Sequence, residues 1–190
     1  MDRLHTLDYS LGELRAVIEG LDDSVMDEPT NCDPWTVRRL ASHALNNQLL
    51  WAGLVTGQSL VSVADAMGAV PIDGELDTVA AEVPSRVMSL WRSEGILDAV
   101  HATPFGELPG SVVIDFAIID AAAHAWDLAT SVGRPLDFDP AELGTLADVV
   151  AATCNGVAIE HGLIKPPAEP PADATETERL MAASGRSITR

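Results

Sequence analysis

One stretch limits the possible folds more than any other. Residues 111–133, SVVIDFAIIDAAAHAWDLATSVG, are apolar on most faces, and Gly133 followed by Arg134-Pro135 is a helix stop. A helix that is greasy all round has to be surrounded by other elements. The rest of the chain must therefore supply partners that wrap it. Those partners read as further helices. Leu4, Leu7, Leu11, Leu14, Val17 and Ile18 follow one another at steps of mostly three and four, which predicts a helix over 3–20 closed by Gly20.

Three more runs repeat this period. Val37, Leu40, Ala41, Ala44, Trp51 and Val55 line one stripe of a helix expected over 34–56, with Asp33 as N-cap, Pro34 in the first turn and Gly57 as stop. Leu76, Val79, Ala80, Val83, Val87, Leu90 and Trp91 predict a helix over 76–94, which Pro84 kinks or restarts near Val83. Leu143, Leu146, Val149, Val150 and Val157 predict one near 140–156. Residues 58–75 read as a loop with at most one helical turn, and TPFGELPG at 103–110 is turn-rich. A strand is conceivable only near Val112–Ile114, where the helical reading is stronger. KPPAEPPADA reads as an extended connector, and TETERLMAAS as a short helix after it. The expected fold is all-α: a four-helix bundle with one or two accessory helices. Residues 1–190 read as a single helical domain, with a Pro-rich connector at 165–178 leading to the C-terminal helix.

Charge narrows the choice of partners. Among 190 residues, 29 Asp and Glu against 11 Lys and Arg give −18, which repels phosphate backbones and anionic lipid and opposes nonspecific self-association. The expectations are no nucleic-acid partner, no membrane partner, and a monomer or homodimer. No run of 18 apolar residues is present, and the polar start MDRLHTLDYS does not resemble a secretory signal, so the cytoplasm is the expected compartment. Cys32 and Cys154 form no CxxC pair and read as two reduced, buried thiols without an assigned role.

Two polar residues interrupt the central helix. Asp120 and His124 stand four apart among Ile118, Ile119 and four alanines, so they point the same way in a setting where unpaired burial is costly. A carboxylate and a His at this spacing offer two ligands to a divalent metal; His43, beside the apolar stripe of its own helix, is the candidate for a third. Two His and one carboxylate leave a coordination position for water or substrate. The alternative is a plain Asp120–His124 hydrogen bond with no metal. Asp127, three residues after His124, is a further ligand, a supporting partner or a cap. His5, His101 and His161 read as solvated histidines.

Here the chain resembles a known family. CDPWTVRRLASHALNN at 32–47, PFGELPGS at 104–111, DAAAHAWDLATSVGRP at 120–135 and TETERLMAASGR at 175–186 resemble the actinobacterial DinB-like group. That group includes the N-terminal domain of mycothiol-dependent maleylpyruvate isomerase. The resemblance implies a DinB-type four-helix bundle with a metal at one end, held by His43, Asp120 and His124. Zinc is the usual ion in the family and nickel an occasional one. Asp120 is a departure, because Glu is more common there; Asp is one methylene shorter, which implies a weaker, shifted or water-bridged ligand. The resemblance further implies a low-molecular-weight thiol, mycothiol, as co-substrate, with an electrophilic small molecule as its partner in S-transfer or isomerisation. Arg38, Arg39, Arg86 and Arg92 are the cations available to an anionic ligand, and each also reads as an ordinary solvated charge. The alternative reading is a non-catalytic metal-binding or structural helical bundle, in which a fourth protein ligand would close any metal site.

Overall fold

A computed structural model describes residues 2–68, 70–72, 74–160 and 164–188. Residues 2–135 form one compact unit and the chain from Leu136 onward a second. The first unit contains α1 (Arg3–Glu19), α2 (Val37–Thr56), the short α3 (Val63–Met67), α4 (Leu76–Trp91) and α5 (Gly110–Ser131). It also contains a short 3-10 turn (Asp23–Val25) and an antiparallel hairpin of β1 (Val100–Thr103) and β2 (Gly106–Pro109). The second contains α6 (Pro140–Thr153), α7 (Gly156–Glu160) and α8 (Glu176–Ala183). The architecture is all-α apart from the hairpin.

In the first unit α1 packs on both α4 and α5, and so does α2, which makes a four-helix bundle. The apolar stripes face inward as their spacing requires. Leu7, Leu11, Leu14 and Ile18 of α1 are buried, and so are Val113, Ile114, Ala117, Ile118, Ala121 and Leu128 of α5, the most buried helix and one on which α1 packs. Each such large side chain withdrawn from water contributes about 1.5–3 kcal/mol. One ion pair reinforces the α1–α5 contact: Arg3 grips both oxygens of the buried Asp115, at 2.7 and 3.1 Å. Gly110 opens α5 where a side chain has no room, since a Cβ would run into the Ile96 carbonyl.

Several local expectations need correction. α2 begins three residues later than 34, and its N-cap is Thr36 rather than Asp33. The backbone just before it is spent on a different structure, with Trp35 N–H bonded to the Cys32 carbonyl, Thr30 N–H bonded to the Trp35 carbonyl, and a bridge between Pro29 and Thr36. Pro34 therefore sits in a turn, not in the first helical turn. Pro84 lies inside a continuous α4, neither breaking nor restarting it. The turn-rich segment before α5 is a hairpin, with Gly106 in a positive-φ conformation that glycine adopts freely. Both cysteines are free, as expected, but half-buried.

The second unit is held by α6 against α8. Asp139 caps α6, and Thr175 with Glu178 forms a reciprocal capping box on α8. The Pro-rich stretch runs without helix or strand, and Ala168 N–H bonds to the Ala182 carbonyl at the end of α8. Among the described residues, no helix is long and apolar enough to cross a membrane.

Candidate metal centre

His43 lies in the middle of α2 and is only 5% exposed. Its Nδ1 is 2.6 Å from the Ala66 carbonyl, on α3. A carbonyl can only accept, so Nδ1 carries the hydrogen and Nε2 is left with a lone pair, 3.3 Å from Asn47 Nδ2. Burial, reinforced by the charge of His124, holds the imidazole pKa below its ordinary value and favours this neutral form. The Trp35 ring covers the imidazole at 4.4 Å between centroids. The Cys32–Thr36 turn and α3 thus each position one side of His43.

On α5, Asp120 and His124 stand one turn apart, with His124 Nε2 3.6 Å from Asp120 Oδ1. The other ring nitrogen, Nδ1, donates to Asp127 Oδ2 at 3.0 Å. Asp127 is fully buried and collects two further donors, Asn31 Nδ2 at 3.0 Å and the Cys32 thiol at 3.4 Å. Burial alone would push the His124 pKa down. Hydrogen bonds with Asp127 and Cys32 and the charges of Asp120 and Asp127 override it and raise the pKa to about 10.

Asp120 is steered from across the bundle. Asn47 Nδ2 donates to its Oδ1 at 2.9 Å, and Gln48 Nε2 donates to its Oδ2 at 3.0 Å. These two amides carry the short carboxylate toward α2. One ligand atom from each of His43, Asp120 and His124 lies within 4.8 Å of the others, and the two imidazole rings meet nearly edge-on with centroids 5.0 Å apart. The three side chains named from sequence therefore converge, although 77 residues separate His43 from Asp120.

The remaining candidates lie apart from this cluster. His5 is exposed on α1, and His101 is half-buried on β1 with Nε2 bonded to the Ile96 carbonyl at 2.8 Å, so His101 is not simply solvated. His161 lies outside the described residues. Arg92 pairs with Asp8, Arg39 reaches the Gly68 carbonyl, and Arg86 is exposed. Asn31, Asn47 and Gln48 were not singled out from sequence, and Cys32 was left without a role. Asn47 did carry a signal, being four residues after His43 on the same helix face.

The donor set fits a divalent cation. Each imidazole has its Nδ1 anchored to an acceptor and its Nε2 directed into the cluster, which is how metal-bound histidines are usually oriented. The negative groups Asp120 and Asp127 face a single imidazolium, so the buried cluster is short of positive charge. Cys32, His124 and Asp127 form a second close set, in which the Cys32 thiol donates to Asp127 Oδ2 at 3.4 Å.

Residues 7–129 match the model of the family described as the mycothiol maleylpyruvate isomerase N-terminal domain. The chain belongs to this family. The match includes His43, Asp120, His124 and Asp127. Among relatives, the uncharacterized protein Rv0738 of Mycobacterium tuberculosis is 28% identical over 142 residues, covering 74% of this chain and 72% of the relative. A crystal structure of the mycothiol-dependent maleylpyruvate isomerase superposes with a TM-score of 0.61 at 22% identity, covering 78% of this chain and 68% of that one. A histidine-to-alanine mutant of that isomerase superposes equally well, at 21% identity. At this identity the likeness establishes the shared fold.

Proposed function

We propose that the chain is a metal-dependent enzyme of thiol chemistry. It holds one divalent ion through His43, Asp120 and His124, and uses mycothiol or a similar low-molecular-weight thiol to transfer sulfur to, or isomerise, an electrophilic small molecule. The observation that carries this reading is the convergence of the three ligand atoms with both imidazoles already anchored through Nδ1. Zinc is the first ion expected and nickel the second. When bound, such an ion acts as a Lewis acid that lowers the pKa of a thiol or water beside it.

The chain's own residues do the rest. The Ala66 carbonyl and Asp127 fix the tautomer and tilt of the two imidazoles, so that neither ring must reorganise on binding. Gln48 holds Asp120 in reach, and Asn47 does so while no ion is bound. Trp35 shields the His43 side from water. Asp120 and His124 keep 14% and 10% side-chain exposure, so a small molecule would approach from their side. The compartment proposed is the cytoplasm, and the assembly a monomer or weak dimer, which sedimentation at several concentrations tests.

One observation favours the non-catalytic alternative: both oxygens of Asp120 already have protein donors, so the cluster can close by hydrogen bonds alone. Elemental analysis of the purified protein, followed by a mycothiol assay against a panel of electrophiles, separates the two. The enzyme reading expects about one equivalent of metal and thiol consumption that a chelator abolishes. Metal without turnover leaves a binding module, and absence of metal leaves a structural bundle.

A further inference from the structure

Asn47 stands where an ion would compete with it. Its amide nitrogen lies 2.9 Å from Asp120 Oδ1 and 3.3 Å from His43 Nε2, so its two hydrogens point at two of the three candidate ligands. The residue is 5% exposed, and its Oδ1 is buried with no hydrogen-bond partner. An unpaired buried acceptor is costly, because its bond to water has been given up with nothing in exchange. The present orientation of the amide is therefore a compromise made around the two lone pairs.

We propose that Asn47 Oδ1 is a fourth protein ligand of the His43–Asp120–His124 centre, reached by turning the side-chain amide over about its terminal bond. The inference rests on the metal reading given above. A cation that takes the lone pairs of His43 Nε2 and Asp120 Oδ1 displaces the amide hydrogens and meets a group whose N–H face repels it. A half-turn exchanges the nitrogen and oxygen with little movement, because the two ends of a carboxamide are nearly the same size. The oxygen then faces the cation, and it is a familiar ligand type for divalent ions. Asn47 lies one helical turn after His43, on the same face of α2, so no backbone change is required. Gln48 is not equivalent. Its nitrogen is committed to both the Ala117 carbonyl and Asp120 Oδ2, and turning it would forfeit both bonds. With four protein donors, an incoming thiol either adds as a fifth ligand or displaces the neutral amide oxygen.

Cobalt(II) titration of the 190-residue chain tests this without any turnover. Wild type should bind one equivalent, with visible bands set by its donors. Asn47→Ala should shift those bands, because a donor has been removed, and should weaken binding by at least the roughly 10-fold that loss of a merely supporting residue costs. Asn47→Asp, which keeps an oxygen in place, should recover both the affinity and a band pattern close to wild type. Far-ultraviolet circular dichroism of the metal-free variants checks folding; if Asn47→Ala fails to fold, Asn47→Ser takes its place, with the same shift expected. Unchanged bands in the Ala or Ser variant would overturn the inference even if affinity fell, since Asn47 would then act only by orienting Asp120. Weaker binding by Asn47→Asp than by Asn47→Ala would overturn it too, because the N–H bond to Asp120 would be what mattered. In both cases the three-ligand reading survives. A wild-type protein that binds no cobalt removes that reading and this inference together.

Discussion

His124 is the residue on which the site turns. It joins Asp120 and Asp127 of α5 through its two ring nitrogens, and it faces His43 edge-on. His43→Ala or His124→Ala should therefore abolish most metal uptake measured by elemental analysis, since each removes one of the two imidazole donors. His101→Ala, on β1, should leave metal content unchanged. Full occupancy in both of the first two variants would end the three-ligand reading.

The same residue sets a pH dependence for the metal-free protein. Its pKa is raised to about 10, against about 6.5 in an unfolded chain. Below about pH 6.5 both states carry the proton and the stabilisation from its carboxylate partners is complete. Between about 6.5 and 10 the unfolded chain gives up the proton first, so this stabilisation is lost as pH rises. His43 works in the opposite sense, because its pKa is depressed: its contribution is present above about 6.5 and is lost as pH falls through its lowered value. Urea unfolding with a chelator present should accordingly show stability declining from about pH 6.5 to 9.5. A flat or rising profile there would contradict the protonated His124. Zinc should offset the decline, since its binding requires a deprotonated ring nitrogen and is favoured at higher pH.

At the scale of elements, legibility followed periodicity. The stripes of α1, α2, α4 and α5 were readable because burial of one face imposes steps of three and four along the chain. The start of α2 was not, because Thr36 and Trp35 take their backbone partners from Pro29 and Thr30, and Asp33-Pro34 imitates a helix start without being one. The hairpin was missed for a similar reason: four-residue strands with two glycines nearby show turn chemistry more strongly than alternation. The candidate ligands were readable as polar residues out of place in apolar helices. Asn31 and Gln48 were not, because their roles depend on partners 96 and 72 residues away. The hairpin also fixes how α5 begins. Gly110 N–H bonds to the Ala99 carbonyl, and a Cβ there would meet the Ile96 carbonyl. Gly110→Ala should cost about 1–3 kcal/mol in chemical denaturation, the range for overpacking a tight contact. An unchanged midpoint would mean that the Ile96 turn yields freely.

For the whole molecule, the division of labour falls at Leu136. Among the described residues, those named as candidate ligands, anchors or steering groups of the cluster, from Asn31 to Asp127, belong to residues 2–135, as do all four bundle helices and the 7–129 family match. The first unit also has its own core, built from α1, α2, α4 and α5, and its own buried ion pair between Arg3 and Asp115. A set of contacts that is complete within a segment predicts that the segment folds by itself. A fragment of residues 2–135 should therefore give a helical circular dichroism spectrum, unfold cooperatively, and take up cobalt(II) with the same visible bands as the full chain. A folded fragment with altered bands would show that the chain beyond Pro135 contributes to the centre. A fragment that does not fold would show that the bundle core is insufficient alone, and that the second unit has a stabilising role which its own α6–α8 packing does not reveal.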